Sequence, residues 1–463
     1  MNIGKVYIVG AGPGSADLIT IGGLRAIKKA DVLICDNLLP RTFFEELGVF
    51  VGNKHIIWLQ DENGHKEQSE INRLMADSAK QGKAVVRLKT GDPHIFGRGM
   101  EELAFLSEND ISCEIIPGLT VATAAGALLD LPLTQRQRSY SFAVVTARCA
   151  GGKINESFPK ADSLVIFMAV SILEKVANKL IKEGWPEDTP AVIAERVSMA
   201  WQNQVEGELE NIASLAHQAD IHSPAILIVG KAADKKELPQ SRPRILFTGL
   251  DPANFRTMGT IIHWPAVKVV RIEEEYKKIP GIIEQLRANH FGYTIFTSRT
   301  SVQLFFEALK SLGLDSRVLF LTKIIACGHG TAMMLEENGI IADFIPAGMG
   351  SQAIVGITES QDKANVLLVQ SATATEALAK SLAEKLGQIE RLCLHCVQPH
   401  QELGRKLPEH DAIYFTCPSG VRAYWEKYGQ QAFKKEVWCI GDVTAKQINE
   451  FNVKAKVVQP YVS

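Results

Sequence analysis

Short apolar runs that end on glycine, proline or a lone carboxylate alternate along this chain with longer stretches of helical period, a pattern that predicts an α/β protein. Val6-Tyr-Ile-Val9 reads as a strand running into the glycine-rich loop Gly10-Ala-Gly-Pro-Gly-Ser15. A helical pattern from Leu18 to Ala30 follows, and then a second strand, Val32-Leu-Ile-Cys35, that stops on Asp36. A helix over Gln68 to Gln81 precedes the strand containing Val85, Val86 and Leu88. That strand meets the next helix through Thr90-Gly-Asp-Pro93, where glycine permits positive φ and proline removes a donor, so backbone groups are left for a ligand. Ile115-Ile-Pro-Gly-Leu-Thr120 makes a further turn before the small-residue segment Val121 to Leu129.

Ser141 to Thr146, Ser163 to Met168, Ala191 to Ala194 and Ala225 to Val229 supply four more strands and a second α/β unit. The charged, proline-bearing stretch Ala233 to Pro243 has no apolar period and reads as a linker. Beyond it an approximate repeat emerges. Phe296-Thr-Ser-Arg-Thr-Ser-Val302 resembles Phe415-Thr-Cys-Pro-Ser-Gly-Val421, and Gly328-His-Gly-Thr-Ala332 resembles Gly441-Asp-Val-Thr-Ala445. Each copy reads as strand, polar turn and helix N-terminus, a geometry that offers N–H groups and hydroxyls to anions and equally serves ordinary capping. Two similar α/β lobes facing a cleft are expected there.

The first loop invites a dinucleotide-binding reading and hence a nicotinamide-dependent dehydrogenase, but Ser15 stands where the third glycine belongs and Pro13 interrupts the turn. Asp36, at a strand's carboxyl end, can hold a ribose, act as a base or cap the next turn.

Composition narrows the field. The 463 residues suggest about three to four domains, and 50 Lys and Arg against 52 Asp and Glu give a net charge of -2, so no global field attracts nucleic acid or an acidic membrane. The start carries no charged leader with an apolar signal core, and no apolar run reaches transmembrane length; a cytoplasmic protein is expected. Eight scattered cysteines read as reduced thiols, with Cys393-Leu-His-Cys396 better explained by strand alternation than by a zinc site, and no metal is expected.

Taken together, Val9-Gly-Ala-Gly-Pro-Gly14, Asp36, Gln68-Ser-Glu-Ile-Asn72, Val85 to Glu102, Pro117-Gly118, Leu133-Thr134 and Pro224-Ala225 occur in the order seen in uroporphyrinogen-III C-methyltransferases of the tetrapyrrole methylase family, which the chain resembles over about residues 1 to 235. The second half, over about residues 243 to 463, resembles uroporphyrinogen-III synthase through the two Phe-Thr turns and the two Gly-x-x-Thr-Ala turns. The resemblance implies a tetrapyrrole methylase fold of two α/β domains with a cleft, followed by a two-lobed α/β synthase fold. It implies domains at about 1–235, with parts at about 1–118 and 119–235, a linker at about 236–243, and a synthase at about 244–463. In the synthase a lobe of about 277–398 is inserted between about 244–276 and 399–463.

It further implies S-adenosylmethionine (SAM) in the first cleft, with Pro13, Thr90, Gly91, Asp92, Ile95, Thr120, Val121, Met168 and Val197 around it, and Asp36 as the base. The substrates implied are hydroxymethylbilane and uroporphyrinogen III, whose carboxylates point to Arg98 in the first half and to Ser298 and Thr331 in the second, with Thr444 as a catalytic candidate. A homodimer through the methyltransferase half is a further implication, and a methyltransferase carrying a degenerate tetrapyrrole-binding module is the alternative reading. There are departures: Trp58-Leu-Gln60 occupies the place of a Gly-Lys-Arg segment whose lysine is the family's proposed proton donor, Thr90 replaces a glycine, Gln135 a histidine and Val197 a glycine.

Overall fold

Five strands, the outer two only partly buried, build the first sheet of this computed structural model, which describes residues 3–47, 49, 51–52, 54–61, 64–234, 242–346, 354, 356 and 364–459. Strands β1 (Val6–Gly10), β2 (Val32–Cys35), β3 (His55–Trp58), β4 (Val85–Lys89) and β5 (Cys113–Ile116) are all parallel, in the order β3-β2-β4-β1-β5. Val9, Leu33, Val86 and Leu88 face one layer with Ile27 of α1 (Ile21–Lys29), while Ile8, Ile34 and Val85 face the other with Ile71 and Met75 of α2 (Gln68–Lys80) and Leu106 of α3 (Gly99–Glu108). Successive side chains of a strand point to opposite faces, so Arg87 and Lys89 share the second face with Val85, beneath α2 and α3. Helix α4 (Val121–Leu128) packs its Ala122 and Ala125 with Val165, Val192 and Ile226 on one face of a second, mixed sheet, whose other face carries Leu164, Ile166, Ile193 and Leu227 in a separate core. That sheet contains β6 (Phe142–Thr146), β7 (Ser163–Phe167), β8 (Pro190–Glu195), β9 (Asn203–Glu208) and β10 (Ala225–Gly230), in the order β9-β8-β10-β7-β6.

The second half adds β11 (Arg244–Phe247), β12 (Thr260–His263), β13 (Val267–Arg271), β14 (Phe291–Phe296), β15 (Lys323–Ala326), β16 (Asn365–Ser371), β17 (Ile389–Pro399), β18 (Ala412–Phe415), β19 (Glu436–Cys439) and β20 (Lys456–Val457). They form an all-parallel sheet β12-β11-β18-β19-β20 and a mixed sheet β13-β17-β16-β14-β15. This corrects one expected lobe limit. The sequence reading starts the inserted lobe at about residue 277, but β13 pairs antiparallel with β17, Val267 opposite Pro399, so the segment from Val267 already belongs to the inserted sheet. Residues 236–241 of the expected linker lie outside the described residues. All eight cysteines are free, and only Cys35 and Cys439 are fully buried. Among the described residues no helix is long and apolar enough to cross a membrane.

Candidate functional site

In a parallel sheet every strand ends on the same edge, and ligands of such folds bind at that edge. Here the edge collects the loop after β1, Asp36 after β2, Thr90 to Pro93 after β4 and Gly118 after β5. Three glycine-bearing loops are stitched together: the Gly91 N–H donates to the Gly12 carbonyl at 2.7 Å, Gly12 N–H to Gly91 O at 3.3 Å, and Gly118 N–H to the Asp92 carboxylate at 3.0 Å. The approach requires glycine, since a Cβ on Gly10 would lie 2.5 Å from Gly118 N and one on Gly118 would lie 2.3 Å from Gly91 O. Gly91 differs. At φ +76° it also favours glycine, yet a Cβ there would meet nothing within 4 Å, so its outer face is open.

Asp36 is fixed beside that opening. Its Oδ2 accepts from the Thr90 N–H at 3.3 Å, and its Oδ1 lies 3.4 Å from the Arg87 guanidinium. Arg87 is itself buried, at 2% exposure, and is shared with the fully buried Glu102 of α3 at 3.1 Å. Lys89 at 2.8 Å and the Gln68 amide at 3.1 Å complete the set around one Glu102 oxygen. Burial is the main cause that pulls the Lys89 ammonium below its ordinary value. Buried charges persist when they are paired and hydrogen-bonded, and this network spans α2, β4 and α3. The dinucleotide reading fails on topology: β4 lies between β1 and β2, so Asp36 faces Thr90 instead of the glycine loop, whereas a dinucleotide fold keeps those two strands adjacent.

The other expected cofactor residues are divided between the first loop, the loop before α3, the start of α4 and strand ends of the second sheet. Pro13 is buried in the first loop. Ile95 and Met168 are exposed at 39% and 48%, and the neighbouring Phe96 and Phe167 rings bridge the two sheets at 5.1 Å. Thr120 caps α4 by accepting from Ala122 N–H at 3.3 Å, with Val121 as its first residue. Val197 is 4% exposed and packed in the core shared by α4 and the second sheet, so only its backbone is available to a ligand. A fit for SAM rests on the Thr90 hydroxyl, a buried oxygen without a hydrogen-bond partner, and on the open face of Gly91 beside it. Arg98 immediately precedes α3 at φ 59° and pairs with Glu101, its side chain 53% exposed. Lys54, near the missing donor position, is tied to the carbonyls of Lys28 and Ala30 at 3.0 and 2.6 Å, at the opposite end of the strands from Asp36. Arg87, Lys89 and Glu102 are the members that sequence reasoning missed; two cations at alternate positions of an otherwise apolar strand were the available signal.

In the second half, the two repeated Phe-Thr turns have nearly the same backbone. Ser298 (φ -157°, ψ 159°) precedes α5 (Arg299–Ser311) as Cys417 (φ -156°, ψ 154°) precedes its counterpart helix. The Ser298 hydroxyl accepts from Ser301 N–H at 3.1 Å, which is a capping bond. Arg299 Nη1 reaches Asp251, beyond the end of β11, at 3.0 Å and so joins the ends of the two sheets. Thr331, in α6 (His329–Glu337), and Thr444, in α7 (Asp442–Asn449), are buried at 4% and 3% exposure. The repeat is less symmetric at the glycines: Gly328 has φ 116°, while Gly441 at φ -177° is extended. Among the described residues no group of three His, Cys, Asp or Glu is placed to hold a metal ion.

Comparison with known proteins agrees with this division. The sequence model of the family "Tetrapyrrole (Corrin/Porphyrin) Methylases" matches residues 5–213, and that of "Uroporphyrinogen-III synthase HemD" matches residues 256–462. A "Porphyrin biosynthesis protein HemD" of Ruminiclostridium josui is 31% identical over 487 aligned residues, covering 99% of this chain and 96% of that protein. A "Uroporphyrinogen-III C-methyltransferase" of Priestia megaterium is 38% identical over 50% of this chain and 99% of its own length. Of a "Siroheme synthase" from Hydrogenovibrio crunogenus, 35% identical, the chain spans only 51%. The chain therefore belongs to the tetrapyrrole methylase family in its first half and to the uroporphyrinogen-III synthase family in its second, joined in one polypeptide.

Proposed function

We propose that this chain is a bifunctional cytoplasmic enzyme of tetrapyrrole synthesis. Its second half closes hydroxymethylbilane to uroporphyrinogen III, and its first half methylates that product twice, through precorrin-1, to precorrin-2, a precursor of sirohaem and cobalamin. The observation that carries the reading is Asp36 held between Arg87 and the Thr90 amide beside the open face of Gly91. Bound SAM supplies an electrophilic methyl group. The chain's residues then have three tasks: to hold the donor in the cleft, to orient a pyrrole carbon towards it, and to accept the proton that the methylated ring loses.

We assign the first task to Pro13, Thr90, Gly91, Asp92, Ile95, Thr120, Val121, Met168 and the Val197 backbone, and the proton to Asp36, positioned by Arg87. Arg98 is the candidate for a substrate carboxylate. In the second half the turns that start α5, α6 and α7 are assigned to the bilane's propionates. Ser298 lies at the first of these turns, while the buried Thr331 and Thr444 support the others. Two consecutive activities in one chain raise the effective concentration of an oxidation-prone intermediate at its next site, and a homodimer through the first half is compatible with this arrangement. The direct test is anaerobic incubation of the chain with uroporphyrinogen III and methyl-labelled SAM. Two labelled methyl groups per macrocycle support the assignment of the first half, and no transfer refutes it.

A further inference from the structure

The segment joining β8 to β9 is unusually strained for one without glycine: Arg196, Ser198 and Trp201 all have positive φ, at 51°, 71° and 65°. Such residues persist only where their surroundings over-determine them. Here the restraint comes from the second half of the chain. The Trp201 side chain, 2% exposed, lies in the core of the third sheet, 4.8 Å from the Trp264 ring and 4.9 Å from His400, and the Trp201 backbone N–H donates to His263 O at 2.7 Å. Arg196 meets Glu402 at 3.2 Å, and Arg405 joins Glu402, at 3.4 Å, to the fully buried Glu195 at the end of β8, at 2.9 Å.

The other side of this segment touches the loop after β1. Ser198 Oγ accepts from the Ser15 N–H at 3.1 Å, and the Met199 side chain fills the space beside Gly14, where a Cβ would come within 2.3 Å of it. A second contact reaches the same loop: Arg256, between β11 and β12, lies 3.1 Å from the Asp17 carboxylate and 3.5 Å from Ser15 Oγ. The loop bearing Gly12 and Pro13 is thus contacted, at Gly14, Ser15 and Asp17, by two devices anchored in the second half.

We propose that the synthase half is a structural part of the methyl-donor site, with Ser198, Met199 and Arg256 as positioning residues that set the wall formed by Gly12 and Gly91. This rests on the proposed SAM site. Linkage makes the effect reciprocal: donor binding tightens the contacts from Arg256 and Glu402, and loosening those contacts weakens donor binding.

The experiment titrates the full chain with S-adenosylhomocysteine by calorimetry, in the wild type and in Arg256→Gln, Glu402→Gln, Ser198→Ala and Arg256→Lys, with the unfolding temperature of each variant recorded. The expected result is a Kd raised about fivefold to tenfold in the first three, the low end of the range typical of coupling between sites. Arg256→Lys returns close to wild type, and the unfolding temperatures do not follow the order of the Kd values. Hydrogen exchange at residues 254–266 and 400–405 slows when the ligand is added. Wild-type binding with unchanged Kd in Arg256→Gln, Glu402→Gln and Ser198→Ala overturns the coupling and leaves the SAM site standing. Absence of binding by the wild type overturns both.

Discussion

Gly91→Ala separates a glycine kept for the backbone from one kept for a ligand. At φ +76° an alanine is strained, by about 1–2 kcal/mol, but its methyl group meets no protein atom within 4 Å. For a unit of this size about 1 kcal/mol lowers Tm by roughly 2–4 °C, so a fall of about 2–8 °C with a folded product is expected. The methyl group enters that open space beside the unpartnered Thr90 hydroxyl. Overfilling a packed contact costs about 1–3 kcal/mol, which corresponds to a Kd for S-adenosylhomocysteine raised roughly 5-fold to 150-fold. Gly118→Ala is the control, because its Cβ would come within 2.3 Å of Gly91 O and damage the junction of the loops themselves. Calorimetric titration together with thermal unfolding reads both effects. A Gly91→Ala protein with the lowered Tm but wild-type affinity would refute the assignment of this face to the methyl donor.

Asp36→Asn keeps an acceptor for the Thr90 amide and removes the base; methyl transfer should fall by about 10²–10⁴ while S-adenosylhomocysteine Kd stays unchanged, and equal loss of both would mean a binding role. Arg87→Met leaves the fully buried Glu102 with Lys89 and Gln68, so unfolding in urea should show a loss of about 3–5 kcal/mol, and an unaltered midpoint would contradict the network. His395, 2% exposed, has its imidazole pushed down to about 4 by burial. Above about pH 6.5 it is neutral in both folded and unfolded chains, and between there and about 4 only the unfolded chain takes up the proton. Its contribution of about 3 kcal/mol is therefore present at pH 7 and lost as pH falls through that window; a His395→Asn variant should show a shallower decline of stability, measured by urea unfolding.

The α/β alternation and the position of Asp36 were legible because each depends on a few adjacent residues. Glycine loops after apolar strands advertise a turn, and a carboxylate closing Val32 to Cys35 advertises a strand end. The network behind Asp36 was not legible in the same way. Arg87 and Lys89 lie in a strand buried throughout, and their partner Glu102 comes from a helix whose exposed Glu101 looks identical in sequence. The placement of β13 depends on pairing with β17, more than a hundred residues away, which no local pattern encodes. Trp201 could be read as a core residue of its own domain; its burial against Trp264 follows from how the two halves meet. Ser298 shows the opposite case, in which a residue chosen for ligand chemistry also meets a backbone need, because its hydroxyl caps α5.

The central claim is that one chain performs two consecutive steps, and it is tested most directly by supplying the purified protein anaerobically with hydroxymethylbilane, first alone and then with SAM, and analysing the isomers. The account predicts type III uroporphyrinogen from the first incubation and its dimethylated product from the second. Closure only to the type I isomer, with added uroporphyrinogen III still methylated, would contradict the synthase assignment; type III product left unmethylated would contradict the other.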